Sequence, residues 1–252
     1  MTTEHSVLAP EPFANSAAWH HYFTTNAALR LPLPWEYSYQ LSADEYAAVI
    51  PSIQEFQLGE SSEGRQLYRA AQRYAAEAGD PDYVRAIAAF IREEQRHAQD
   101  LKRFLNSQRA PAINASWVDQ IFRRLRRGTN LDLALSVLVS AELIANVYYA
   151  ALAAATQSPA LQALCAQILH DEAAHVQFHC ERLACMRSRR TWMERRGAQL
   201  RHRALFAGAC LVVWSRHAPV FQRAGRSFAV FWQQCWREFN AAARATQRPA
   251  LK

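Results

Sequence analysis

A short motif that occurs twice, at matching positions of two helical segments, constrains this chain more than any other feature. Glu94 and His97 form one Glu-x-x-His motif, and Glu172 and His175 form the other. A spacing of three residues puts both side chains on one face of a helix. Each glutamate lies 13 residues after a proline that follows a helix-capping residue. The repeat therefore predicts two helical hairpins related by an approximate two-fold axis, with their motifs facing each other at the same depth.

Capping residues and prolines divide the chain into long helices. Asp80-Pro81 and Ser158-Pro159 each combine a side chain suited to the N-cap with a proline suited to the first turn. The chain has only seven glycines in 252 residues, which is few for the tight turns of a sheet protein. We therefore predict an all-α protein built on a four-helix bundle. Its four long helices are expected over 51–78, 81–106, 130–156 and 159–189.

The remaining segments are interpreted as additions to this bundle. Residues 1–41 look irregular, and a Ser42-x-x-Glu45 capping box predicts a short helix over 43–50, with Pro51 beginning a new helix. Residues 115–127 can form a short amphipathic helix. We expect a single domain with three parts: an N-terminal extension over 1–50, the bundle over 51–190 with a crossover at 107–129, and further C-terminal helices over 191–252 that pack on the bundle.

Each motif helix should face a carboxylate from its hairpin partner. Glu142 lies in an apolar run, 17 residues before Pro159, where an unpaired carboxylate would be costly. Glu63 lies 18 residues before Pro81, and Glu60 lies 21 residues before it. Because antiparallel helices meet at equal distances from their turn, Glu63 is the preferred candidate. Glu60, one turn away on a similar face, stays an alternative.

These residues make a set of four carboxylates and two histidines that fits two metal ions. Carboxylate oxygens with one imidazole per ion suit iron or manganese better than a closed zinc site. The alternative, an ordinary helical protein whose glutamates and histidines are paired within the core, predicts a metal content near zero. The candidate ligands are Glu63 (or Glu60), Glu94, His97, Glu142, Glu172 and His175.

The predicted bundle resembles the ferritin-like superfamily of di-iron carboxylate proteins, which carry a Glu on two helices and Glu-x-x-His on the other two. Asp171 directly precedes Glu172, and this form is similar to the oxygen-activating branch more than to ferritins or rubrerythrins. That branch includes ribonucleotide reductase small subunits and bacterial multicomponent monooxygenases. The resemblance implies that Asp171 orients His97, and that Glu93 could orient His175 in the same way.

Several positions depart from the patterns of these relatives. Leu101 stands where radical-storing reductase subunits have a tyrosine, and Asn146 stands where oxygenases often have a threonine. The stretch Phe-Gln-Leu-Gly-Glu-Ser resembles the first helix of rubrerythrins, which favours Glu60. We take Asn146, Tyr149 and His179 as candidates for the lining of a substrate cavity.

The resemblance implies a di-iron oxidoreductase, such as a monooxygenase, that activates O2 to hydroxylate, desaturate or N-oxygenate a small organic substrate. Its cofactor would be two Fe ions, with Mn–Fe possible, and its electrons would come from an external donor. A ferroxidase or peroxide-scavenging iron-handling protein, or a tRNA-modifying di-iron hydroxylase, stays an alternative. The formal net charge of +7 motivates the tRNA alternative, although we expect no nucleic-acid partner. The sequence also predicts a cytoplasmic protein, without signal peptide or membrane span, that could form a homodimer.

Overall fold

The computed structural model describes residues 11, 14–29, 31–36, 38–62, 64–116 and 130–245. Within these residues the chain forms eight α-helices and no β-strand, which confirms the all-α class. The predicted crossover helix over 115–127 falls largely outside the described residues. The helices are α1 (Ser16–Asn26), α2 (Ala43–Ser62), α3 (Arg65–Ala78), α4 (Pro81–Ser107), α5 (Leu131–Ala155), α6 (Pro159–Ser188), α7 (Trp192–Arg223) and α8 (Phe228–Ala245).

The predicted caps begin the three helices that carry the motif residues and Glu142. Asp80 accepts a hydrogen bond from the backbone N–H of Tyr83 at 3.2 Å, at the start of α4. Asn130 and Ser158 do the same at the starts of α5 and α6. Each cap satisfies a backbone donor that has no partner within the helix, so the helix begins at a defined residue.

The first long helix differs from the prediction. Residues 43–50 and the segment after Pro51 form one continuous helix, α2, with Pro51 on its exposed side. The buried Val49 and Ile53 on either side of Pro51 pack into the same core, and this packing offsets the backbone hydrogen bond that proline cannot make. The helix expected over 51–78 is instead interrupted after Ser62, and α3 begins after Gly64. Gly64 has a φ of 143°, which only glycine adopts readily, so it marks the interruption.

The prediction that residues 1–41 are irregular is wrong for Ser16–Asn26, which form α1. Asn15 caps this helix, and its side chain accepts a hydrogen bond from the N–H of Ala18 at 2.9 Å. Trp19 and Phe23 are buried against the bundle, so tertiary packing stabilises a helix too short to be stable alone.

Long helices pack around a common core. Helix α5 packs against α6 and α7, while α1, α2 and α3 all pack against α4. The hydrophobic core includes residues of α1, α7 and α8 as well as of the bundle. The additional helices therefore cover the bundle, and the motif residues of α4 and α6 lie deep inside.

Two helices, α5 and α7, are long and apolar enough to cross a membrane by length and composition alone. The most apolar window of α5 is 72% buried within the protein, as in the core helix of a helical bundle, and that of α7 is 39% buried. Both helices pack against the bundle, so neither gives clear evidence of a membrane span.

Candidate metal centre

The structure brings six of the predicted side chains into one buried cluster. Ligand atoms of Glu94, Glu142, Glu172 and His175 all lie within 4.8 Å of one another. Glu60, Glu94 and His97 form a second group that meets the same limit. Glu94 belongs to both groups, so the two groups are neighbours. The six residues come from α2, α4, α5 and α6, one helix for each wall of the bundle.

The two imidazoles direct the same ring atom at the carboxylates. His175 Nδ1 lies 3.1 Å from Glu94 Oε1 and 3.6 Å from Glu172 Oε2. His97 Nδ1 lies 3.7 Å from Glu94 Oε1 and 3.9 Å from Glu172 Oε1. The i, i+3 spacing of each motif therefore places its imidazole beside the glutamate of its own helix and beside that of the facing helix.

Glu60 is the carboxylate that α2 contributes. It lies on the last turns of α2, and its Oε1 accepts a hydrogen bond from the Tyr149 hydroxyl at 2.7 Å. Glu63, the residue that the spacing argument preferred, lies outside the described residues. Tyr149, a candidate for the cavity lining, therefore touches the cluster through Glu60.

Each imidazole is also held on its outer side by one further carboxylate. Nε2 of His97 lies 2.9 Å from Asp171 Oδ2, and Nε2 of His175 lies 3.0 Å from Glu93 Oε2. The contacts are reciprocal, because each carboxylate precedes the motif glutamate of the other helix. An Nε2–H that donates to a carboxylate reserves Nδ1 for the cluster, as a metal ligand needs. Nearby carboxylates raise the pKa of both imidazoles despite their burial, so a metal ion would displace a proton from Nδ1.

Sequence reasoning missed two residues that lie between these outer carboxylates. Nδ2 of Asn26, on α1, donates to Glu93 Oε1 at 2.8 Å and to Asp171 Oδ1 at 2.9 Å. Arg96 forms ion pairs with the same two carboxylates. The position of Arg96, three residues after Glu93, could have indicated its role. No sequence signal identified Asn26, because α1 itself was not predicted.

Carboxylates are crowded in the cluster without enough positive charge. Burial, and then the charges of Glu94 and Glu172, raise the pKa of Glu60 well above its usual value. Burial, and then Glu172 and Glu94, raise the pKa of Glu142 in the same way. Burial alone would also raise the pKa of Glu94, but the adjacent His175 outweighs it and lowers that pKa to about 2. The carboxyl groups of Glu60 and Glu142 therefore hold a proton more tightly than an exposed glutamate does, and a divalent cation would displace that proton.

Unpaired atoms indicate that the donor set fits metal ions. His97 Nδ1, Glu142 Oε1 and Glu172 Oε2 are buried and have no hydrogen-bond partner in the part of the chain that the structure describes. Buried polar atoms are nearly always paired, because leaving one unpaired costs free energy. Ligation of an ion by these oxygen and nitrogen atoms would satisfy them, and the atom types suit iron or manganese.

The other two cavity candidates lie outside the two groups. His179, one turn after His175, is fully buried, and both of its ring nitrogens are unpaired within the described residues. Its ring lies 4.6 Å from that of Phe90 and 4.9 Å from that of Phe178, centroid to centroid. Burial, and then the charge of His175, lower the pKa of His179 to about 3, so this imidazole is neutral at pH 7. Asn146 is half-buried on α5.

The fold and the cluster together define the class: an all-α protein of ferritin-like architecture, with a buried cluster of carboxylates and histidines that fits two metal ions. Two solved structures share the fold. One is a variant of an R2-like ligand-binding oxidase with an aerobically reconstituted Mn/Fe cofactor, with a TM-score of 0.66 and 13% identity, covering 92% of this chain and 94% of that chain. The other, a variant with an anaerobically reconstituted Mn/Fe cofactor, has a TM-score of 0.55 and 12% identity, covering 92% and 93%. No protein-family model and no curated protein sequence matches the chain.

Proposed function

We propose that this protein is a di-metal oxidase that activates O2. The observation that carries the proposal is the cluster itself: two Glu-x-x-His motifs converge inside the bundle, and each imidazole is held by a carboxylate from the facing motif. An isolated Glu-x-x-His occurs by chance in many helices, whereas two facing motifs with reciprocal outer carboxylates support a di-metal site. The shared fold with oxidases that carry a Mn/Fe cofactor supports the same proposal.

The residues present could hold two ions side by side. Glu60 and His97 would bind one ion, Glu142, Glu172 and His175 would bind the other, and Glu94 belongs to both groups and could be shared. The ions would be two Fe, with Mn and Fe together possible. When bound, such a pair would supply the redox chemistry and the Lewis acidity for O2 activation, with its electrons restored by an external donor.

The protein surrounds the cluster with side chains that exclude water and fix the ligands. Phe23 and Phe90 cover the His175 ring, with centroids at 5.9 Å and 4.8 Å. Asp171 accepts the Nε2–H of His97 and keeps its Nδ1 free for a metal. Tyr149 donates its hydroxyl proton to Glu60 and thereby holds that carboxylate against the core. A dry, pre-formed site of this kind limits side reactions of activated oxygen.

Within this class, we propose that the reaction is hydroxylation, desaturation or N-oxygenation of a small organic substrate. The five cysteines are all free thiols, and none belongs to the cluster, so the electrons would come from an external donor protein. A soluble, cytoplasmic protein that forms a homodimer is part of the same proposal, as is the organisation into a bundle over 51–190 with additions on either side.

Metal analysis combined with O2 uptake tests the proposal. The protein is loaded anaerobically with Fe(II), or with Mn(II) and Fe(II), its metal content is measured, and O2 consumption is followed after mixing with buffer that contains O2. We expect two metal ions per chain and O2 consumption that follows metal content. A double variant, E94A/E172A, should lose both, while E77A, on the exposed side of α3, should keep both.

Two results would contradict the proposal. Protein with two bound ions that consumes no O2 would not be an oxidase. Repeated turnover of excess Fe(II) into a mineral would instead support the iron-handling alternative.

A further inference from the structure

One buried amide joins the N-terminal helix to both halves of the candidate metal centre. Asn26 is the last residue of α1 and is 1% exposed. Its single side-chain nitrogen donates to Glu93 Oε1 at 2.8 Å and to Asp171 Oδ1 at 2.9 Å. The two N–H groups of one amide are thus divided between the two carboxylates that hold the metal-facing imidazoles.

The orientation of this amide follows from its surroundings. The amide oxygen has only lone pairs to offer, so it would be repelled by two carboxylates in the same position. Arg96 places positive charge between the same carboxylates, and Asn26 adds two donors without adding a charge. The arrangement keeps Glu93 and Asp171 close together, with Glu93 Oε2 directed at His175 and Asp171 Oδ2 directed at His97. Asp171 also accepts from Arg96 and from the side-chain amide of Gln167.

The rest of α1 docks through contacts that do not touch these carboxylates. The Trp19 indole N–H donates to Glu181 Oε2 at 2.8 Å, and the Ser16 hydroxyl donates to Asp80 Oδ2 at 2.7 Å. These contacts fix the N-terminal part of the helix on α6 and before α4. Phe23 packs on the ring of His175, and Asn26 is the residue through which α1 donates hydrogen bonds to the two outer carboxylates.

We propose that Asn26 is a positioning residue that sets the metal affinity of the centre through Glu93 and Asp171. The proposal rests on the proposed function only in requiring that the cluster binds metal. Loss of a partner that orients a metal-binding histidine typically lowers metal affinity 10- to 100-fold. Asn26 is one hydrogen bond further from the metal than the carboxylates that orient the histidines, so we expect an effect at the lower end of that range.

The test is the affinity of purified variants for Mn²⁺ and Fe²⁺, measured anaerobically by competition with a chromogenic chelator. N26D keeps the size of the side chain but replaces both donors with acceptors, and should weaken binding about tenfold or more. N26A removes the donors without adding charge, and serves if N26D does not fold. W19F, which removes a contact of α1 seven residues earlier, is the matched control and should keep its affinity within about twofold of the wild type. The absorption spectrum of bound Co²⁺, which reports ligand geometry, should change in N26D and N26A but not in W19F.

The outcomes distinguish a failure of the inference on Asn26 from a failure of the proposed function. If N26D and N26A bind metal as tightly as W19F and with the same Co²⁺ spectrum, Asn26 has only a structural role and the inference is wrong. If wild-type protein binds no metal, the proposed function and this inference both fail.

Discussion

Glu142 offers a test in which stability and metal binding should change in opposite directions. Its carboxylate lies within 4.8 Å of ligand atoms from Glu94 and Glu172. At that separation, with an effective dielectric constant of about 20, each like-charged pair costs roughly 3 kcal/mol. The metal-free protein avoids this cost by keeping Glu142 protonated, as its raised pKa indicates.

The protonation itself has a cost that can be bounded. Because the folded-state pKa of Glu142 is raised above 4.5, the unfolded chain releases this proton more easily, and folding loses about 1.4 kcal/mol per pH unit above 4.5. At pH 7, two and a half pH units higher, the penalty is therefore at most roughly 3 to 4 kcal/mol. E142Q is neutral and of the same size, so we expect metal-free E142Q to gain about 2 kcal/mol at pH 7, or roughly 5 °C in Tm. The gain should disappear near pH 4.5, where the unfolded carboxyl is protonated too.

Glu45 provides the matched control, because it is a buried glutamate with partners. Its carboxylate accepts hydrogen bonds from the Tyr39 hydroxyl, the Thr156 hydroxyl and the backbone N–H of Gln157, at 2.7 to 2.9 Å. E45Q exchanges one acceptor oxygen for an NH2 group that faces these donors, so it should lose about 1–3 kcal/mol. One glutamate-to-glutamine exchange should therefore stabilise the metal-free protein and the other should destabilise it.

Thermal and urea denaturation followed by circular dichroism measure both effects, first without metal and then with Fe(II) or Mn(II). Metal should raise the Tm of the wild type and of E45Q, since an ion that binds only the folded state stabilises it. E142Q should lose most of that increase. If E142Q instead destabilises the metal-free protein as much as E45Q does, Glu142 is a paired structural residue and the interpretation of the cluster as a metal centre is wrong.

Two buried histidines outside the ligand set give further predictions. His217 lies 2.7 Å from the Ser52 hydroxyl, and its pKa is lowered to about 3, mainly by burial. Since the unfolded chain takes up this proton below pH 6.5 and the folded chain does not, wild-type stability should fall by about 2 kcal/mol from His217 between pH 7 and pH 5. Between pH 7 and pH 5, the stability of the variant H217N, measured by urea titration, should therefore fall by about 2 kcal/mol less than that of the wild type. An equal fall in both proteins would refute the lowered pKa of His217. For His179, replacement of its unpaired ring by phenylalanine should raise the stability of metal-free protein by about 1 kcal/mol. A loss of that size would reveal a hydrogen-bond partner.

Local signals were sufficient where one residue determines the outcome. Asp80, Asn130 and Ser158 each begin a helix at the predicted residue, because a cap requires only its own side chain and the next turn. The repeated motif also predicted that α4 and α6 face each other. Each helix must bury a carboxylate and an imidazole, and the free-energy cost of burial is low only when these groups pair with those of the other helix.

Tertiary contacts determine the features that local sequence signals did not predict, namely helix α1 and the burial of Asn26. Helix α1 has little apolar periodicity of its own, and its buried Trp19 and Phe23 become a helix face only when α4 and α6 are present to cover them. Asn26 is a polar residue of a kind that usually lies on a surface, and it is buried here because two carboxylates from separate helices require its two donors. The residues next to Asn26 in the sequence do not indicate that these carboxylates will lie beside it.

The choice between Glu60 and Glu63 shows how a spacing argument depends on an unbroken helix. Counting back from Pro81 assumes 3.6 residues per turn throughout, and this count placed Glu63 opposite Glu142. The left-handed backbone at Gly64 ends that regularity, so residues on α2 no longer keep the register of α3. Glu60 lies near Glu94 and His97, while Glu63 lies outside the described residues and stays a prediction. A count from a turn assumes a continuous helix, and this condition holds for Glu142, whose helix is continuous up to Ala155, but not across the interruption between α2 and α3.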